Sequence, residues 1–231
     1  MGFLKKFIGG VLREGSQTPA RSSFEHLSEE ELEAHLRIAK YGNFTLTDAV
    51  RPSYDLQVVP CEGFRHDVYR SENGQTVIPV LMASVSKERL FETFMELLEP
   101  LGEEVDVVLE TSHHRDRPGH HDLYREHIDM PVLKSILWEF EDVLLNDGCT
   151  GIAVLNADIP LEVQFDEHKL LICYGSDLRA FERILKSHKI PSNEQIRFIT
   201  EAEHVHSSTE HYARRFEELK TYLGMDEGCY V

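Results

Sequence analysis

Three apolar runs, TGIAVLN at 150–156, LEVQF at 161–165 and LLICY at 170–174, follow one another with only ADIP and DEHK between them. LEVQF alternates in character, the period of a strand whose two faces meet different surroundings. A parallel crossover needs a dozen or more residues, so connections of about four force neighbouring strands to run antiparallel. The chain must build an antiparallel sheet around this segment, and its amphipathic helices must cover that sheet.

A second hairpin is read upstream, where FRHDVYR and QTVIPVLMAS flank SENG. Pro79 is expected at an edge or a bulge, because proline lacks the N–H that a ladder needs. EVDVVLET, 104–111, reads as a further strand. Helices are expected over 29–41, opened by a Ser28/Glu31 capping box, and from Ser86 until Pro100 and Gly102 stop the pattern. Leu133, Ile136, Leu137, Phe140, Val143 and Leu144 predict one core helix capped by Asp129, and Leu178, Phe181, Ile184 and Leu185 predict another beginning at Ser176. IRFIT, 196–200, reads as a strand. A last helix, with Tyr212, Phe216, Leu219 and Leu223 inward, is expected to open at a Ser207/Glu210 capping box and end at Gly224. The result is an α+β fold, antiparallel hairpins packed against helices on one face, in a single domain over 24–231.

An offset of about 90 residues sets SKERLFETFM (86–95) on SDLRAFERIL (176–185), and EVDVVLETSHH on QIRFITEAEHV. Both units then read hairpin, helix, strand, E-x-x-H, helix, which suggests two pseudo-symmetric ββαβα lobes with repeat units over 64–127 and 155–223. Unrelated amphipathic units also align this well when the offset is free to slide.

Ahead of the domain, residues 1–23 form an amphipathic peptide and a linker. Phe3, Leu4, Phe7, Ile8, Val11 and Leu12 share one helical face, and EGSQTPARSS has no periodicity. The peptide carries Lys5, Lys6 and Arg13 and no acid, whereas the whole chain has a formal charge of −17. Such an acidic body repels phosphate backbones, so a nucleic-acid partner is not expected. It would be pushed from an anionic bilayer as well, so a membrane surface ranks below a protein partner. Cys61, Cys149, Cys173 and Cys229 lack any C-x-x-C pair, and no apolar stretch approaches the roughly 18–20 residues of a membrane span. The expected compartment is the cytoplasm.

SHHRDRPGHHDLYREH, 112–127, holds five of the thirteen histidines. Candidate metal ligands are Glu110, His113 and His114 at one strand end and Glu201, His204 and His206 at the other. Imidazole nitrogen and carboxylate oxygen are the donors that divalent metals take. The spacings are unspecific: H-E-x-x-H is absent, and HRD at 114–116 lacks the asparagine of a kinase loop. The plainer reading makes 112–127 a solvated connection with no cofactor, and a divalent metal is the one cofactor these residues admit. No nucleophile with a base emerges, so catalytic residues stay unassigned. The leading expectation is a non-enzymatic binding or regulatory module acting through protein–protein contacts. The alternative is a metal-dependent hydrolase using the Glu/His residues at the two strand ends.

Overall fold

The computed structural model describes residues 22–70, 76–113 and 121–226. The apolar face Phe3, Leu4, Phe7, Ile8, Val11 and Leu12 lies outside these residues, as does His114. Helix α1 (Glu29–Leu36) is opened by the Ser28/Glu31 capping box, then β1 (Lys40–Tyr41) and β2 (Phe44–Thr45) form a small hairpin. Strand β3 (Val50–Pro52) leads to the hairpin of β4 (Gly63–Arg70) and β5 (Val77–Ser84). Helix α2 (Lys87–Leu97), strands β6 (Glu104–Thr111) and β7 (His121–Asp129), and helices α3 (Met130–Glu139) and α4 (Glu141–Asn146) follow. The meander β8 (Thr150–Asn156), β9 (Leu161–Phe165), β10 (Leu170–Gly175) precedes α5 (Arg179–Ser187), β11 (His204–His206) and α6 (Glu210–Tyr222).

One seven-stranded antiparallel sheet, ordered β4-β5-β10-β9-β8-β6-β7, organises the fold. Its inner face packs against the helices. Val107, Leu109, Ile152, Val154, Val163, Phe165, Leu171 and Cys173 from the strands share one core with Phe94 of α2, Leu137 of α3, Leu144 of α4, Phe181 of α5 and Phe216 of α6. Truncating one such buried phenylalanine to alanine costs about 3–5 kcal/mol. The outer face carries Val80, Leu170, Ile172 and Tyr174, capped by Ile196 and Phe198, and beside them Val108, Ala153 and Leu155.

A two-stranded ribbon, β11 with β3, stands at one end of this sheet. It is anchored from both sides. Arg51, buried in β3, donates to the carbonyls of Leu36, Thr47 and Val50, and His35 of α1 donates through Nε2 to Pro52 O at 2.9 Å. Gly148, in the turn between α4 and β8, joins the ribbon to the sheet: its N–H donates to Ser207 O at 2.8 Å, and Ser207 N–H donates to Ala49 O at 2.8 Å.

Several expectations change. Half of the histidine-rich stretch is strand β7, because Leu123 and Ile128 turn toward the core while the intervening polar residues face out. The segment IRFIT makes no sheet strand. Ile196 and Phe198 cap the outer face, and residues Ile199–Glu201 wind into a 3-10 turn whose Glu201 carboxylate accepts from Phe198 N–H. The repeat units therefore differ at this element, and the expected duplication gains no support. Helix 29–41 stops at Leu36, the core helix breaks at Phe140, and α6 is capped by Thr209 rather than Ser207, its hydroxyl accepting from Tyr212 N–H. Pro79 sits one residue beyond the last β10 partner of β5, Val80, where its missing N–H costs no ladder bond on that side. Among the described residues, no helix is long and apolar enough to cross a membrane.

Candidate metal centre

In an antiparallel meander, the end of one strand lies beside the start of the next. The end of β6, the start of β8 and the β9–β10 turn therefore share one end of the sheet, and the β3–β11 ribbon closes over it. His168 comes from the turn, where Lys169 takes a left-handed conformation (φ 64) and Leu170 N–H donates to Asp166 Oδ1 at 2.7 Å. A left-handed lysine costs on the order of 1 kcal/mol. His204 and His206 are two apart on β11, so both rings leave the same face of the ribbon.

These three imidazoles meet. One ring nitrogen of each lies within 4.8 Å of one from each of the others. Ring centroids are 4.8 Å apart for His168 and His204, 4.7 Å for His168 and His206, and 5.1 Å for His204 and His206. Each ring is also held from behind. His168 Nδ1 donates to Asp166 Oδ2 at 2.8 Å, His204 Nδ1 to Ala202 O at 2.8 Å and His206 Nδ1 to Gly148 O at 2.6 Å. A carbonyl can only accept, so Nδ1 carries the proton in His204 and His206, and Nε2 keeps a bare lone pair whenever the ring is neutral. A carboxylate or carbonyl behind each ring is the support that metal-binding histidines have.

The electrostatics favour neutral rings on the ribbon. Burial, then the His168 charge, lowers both His204 and His206, the latter to about 4. Burial also works against a charged His168, but the Asp166 carboxylate outweighs it and raises that ring. Asp166 itself, though buried, is held below the ordinary carboxylate range by the His168 charge and hydrogen bond. A metal ion on the three histidines would meet no fourth His, Cys, Asp or Glu donor in this group among the described residues, and His204 and His206 are partly exposed to solvent. A cavity of about 20 Å³ touches His168 and Lys169, room for about one water molecule.

The structure thus brings together two of the candidate ligands read from sequence, His204 and His206, and adds His168. Glu110 stands apart on the outer face. Its carboxylate lies over Gly151, where a Cβ would come within 2.9 Å of Oε2, and takes both contacts of Gln164 Nε2 at 3.1 Å. Glu201 accepts from Arg65 at 2.8 Å and does not join the histidines. His113 occupies the same end of the sheet but pairs through Nε2 with Asp147 Oδ2 at 2.7 Å. Comparison with protein-family models, curated proteins and solved structures finds no match for this chain.

Proposed function

We propose that the chain holds one divalent transition metal ion on His168, His204 and His206, and that its function is metal-dependent hydrolysis. The observation that carries this reading is the set of three convergent imidazoles, each with its Nδ1 engaged, so that Nε2 of each ring is the atom that would take the metal, in place of a proton where the ring is charged. Imidazole sets suit zinc, copper, iron and nickel. Three protein donors with one open position is the catalytic arrangement of zinc rather than the closed structural one, and a metal ion so held lowers the pKa of a bound water toward neutrality. Asp166 orients His168, and the Ala202 and Gly148 carbonyls orient the other two rings. His168 is buried while His204 and His206 are partly exposed, so a substrate would approach past the edges of the two ribbon histidines. The protein-interaction reading rests on residues 3–12, outside the described residues.

Elemental analysis of protein purified without a histidine tag should find at least about one equivalent of Zn, Fe, Ni or Cu. His168→Ala and His206→Ala should each weaken binding at least 100-fold, and Asp166→Asn by about 10–100-fold, the usual cost of losing an orienting partner. Metal added at 100 times its dissociation constant should stabilise the wild-type fold by about 2.7 kcal/mol. Less than a tenth of an equivalent, with no thermal shift on adding metal, would overturn the proposal. Metal-stimulated ester or phosphoester hydrolysis lost in His168→Ala is the expected activity; full metal occupancy without turnover across both substrate classes would leave a metal-binding protein and remove the hydrolase.

A further inference from the structure

Next to the histidine triad lies a second convergent set of donors. His113 follows β6, and Asp147 and Cys149 flank Gly148 in the turn before β8; one ligand atom of each lies within 4.8 Å of the others. The two sets share a backbone hinge, since the carbonyl of Gly148 orients His206 of the triad. We propose that His113, Asp147 and Cys149 form a second site for a thiophilic divalent cation, zinc by preference.

Each donor is positioned. Asp147 is fully buried, with Oδ2 accepting from His113 Nε2 at 2.7 Å and Thr150 Oγ1 at 2.5 Å, and Oδ1 accepting from Cys149 N–H at 3.3 Å. The His113 ring packs at 5.5 Å between centroids against Phe216 of α6, so it cannot swing freely into solvent. Cys149 is half-buried.

Cysteine beside a histidine–aspartate pair also suggests a nucleophile, and the surroundings decide between the two readings. A catalytic thiol needs an electropositive setting to ionise. Here Cys149 sits among carboxylates: its N–H donates to the buried Asp147 Oδ1 at 3.3 Å, and Ser112, whose N–H donates to Cys149 O at 3.0 Å, donates its hydroxyl to Glu167 Oε2 at 3.4 Å. The nearby cation, Lys169, spends its ammonium on Thr150 O at 2.8 Å. Nitrogen, oxygen and sulfur donors in a negative setting are a cation's environment. Binding at His113 Nε2 shifts that ring's proton to Nδ1 and displaces the Cys149 thiol proton, so metal uptake releases a proton to buffer. The two sets have no ligand in common, so either can fail alone.

Cobalt separates the two. Titrating metal-free wild-type protein with Co²⁺ should give a second equivalent accompanied by a near-ultraviolet thiolate-to-cobalt charge-transfer band. Cys149→Ser should lose that band and one equivalent while keeping the visible d–d bands of the imidazole site. His168→Ala should do the reverse, and Cys61→Ser, at an exposed thiol, should change neither. On the wild-type chain alone, Zn²⁺ should slow alkylation of Cys149 at least tenfold, read by peptide mapping, without protecting Cys61. A cobalt complex with no thiolate band, or Cys149 alkylation unaffected by saturating Zn²⁺, would overturn this second site whatever the triad does.

Discussion

Gly148→Ala should cost about 3–5 kcal/mol of stability and weaken metal binding by the triad about 10–100-fold. An added Cβ would lie 2.3 Å from Ala49 O and 2.9 Å from Ser207 N and Ser207 O. All three are backbone atoms of the ribbon or its approach, so no side chain can swing away to make room. Relief requires the turn and the ribbon to separate. Overpacking costs about 1–3 kcal/mol, and separation would break the Gly148–Ser207 bond and its neighbour at about 0.5–1.5 kcal/mol each. It would also withdraw the carbonyl that holds His206 Nδ1 at 2.6 Å, which links stability to metal affinity through a single methyl group. Urea denaturation and zinc competition titration on the same preparation check both. A change below 0.5 kcal/mol with unaltered affinity would show that the ribbon does not position the site.

This dependence also explains what the sequence revealed and what it hid. Strand β6 is bounded in the structure where EVDVVLET is bounded in the chain, and the β8–β9–β10 meander follows from connections too short for anything else. Local periodicity decides such elements. IRFIT has the composition of a strand, but Ile196 and Phe198 are spent on capping the outer face, a tertiary demand no window of the sequence displays. His204 and His206 were visible as an H-x-H pair. His168 was not, because DEHK reads as turn chemistry and its meaning depends on which end of the sheet the turn occupies. One signal was available: Asp166 two residues before His168, in a turn that the meander must place beside the start of β8. Glu110 shows the converse failure. Its E-x-x-H spacing with His113 suggested a shared ligand set, but strand alternation sends the Glu110 side chain to the outer face with Val108, while His113 lies past the strand end.

That outer face should make the protein lose stability as pH rises from about 4.5 to 8. Glu162 is buried on β9, and Glu110 lies on the same outer face; burial first, then the Glu110 charge for Glu162 and the Asp122 charge for Glu110, raises each carboxyl to about 8. In the unfolded chain both give up their protons near the ordinary value of 4.5. A group whose folded pKa is raised contributes fully below its unfolded pKa and loses that contribution as pH climbs to the folded one. Between the two values the unfolded chain binds fewer protons than the native one, so each group tilts stability downward by about 1.4 kcal/mol per pH unit. Gln164 partly shields Glu110 by donating to its carboxylate at 3.1 Å, whereas Glu162 has Glu110 as its charged neighbour and gains nothing from it. Glu162→Gln should therefore be the more informative change. At pH 4.5 it should be neutral or slightly destabilising, since a buried amide lacking a partner costs about 1–3 kcal/mol. At pH 8.5 it should be more stable than wild type by ~2 kcal/mol, and Glu110→Gln combined with it should flatten most of the remaining slope. Urea denaturation of metal-free protein at half-unit steps from pH 4.5 to 8.5, compared as the difference between variant and wild type, isolates these groups from the histidines. A difference that stays constant with pH would mean that Glu162 ionises in the folded protein much as it does in water, and that the outer face is wetter than its packing indicates.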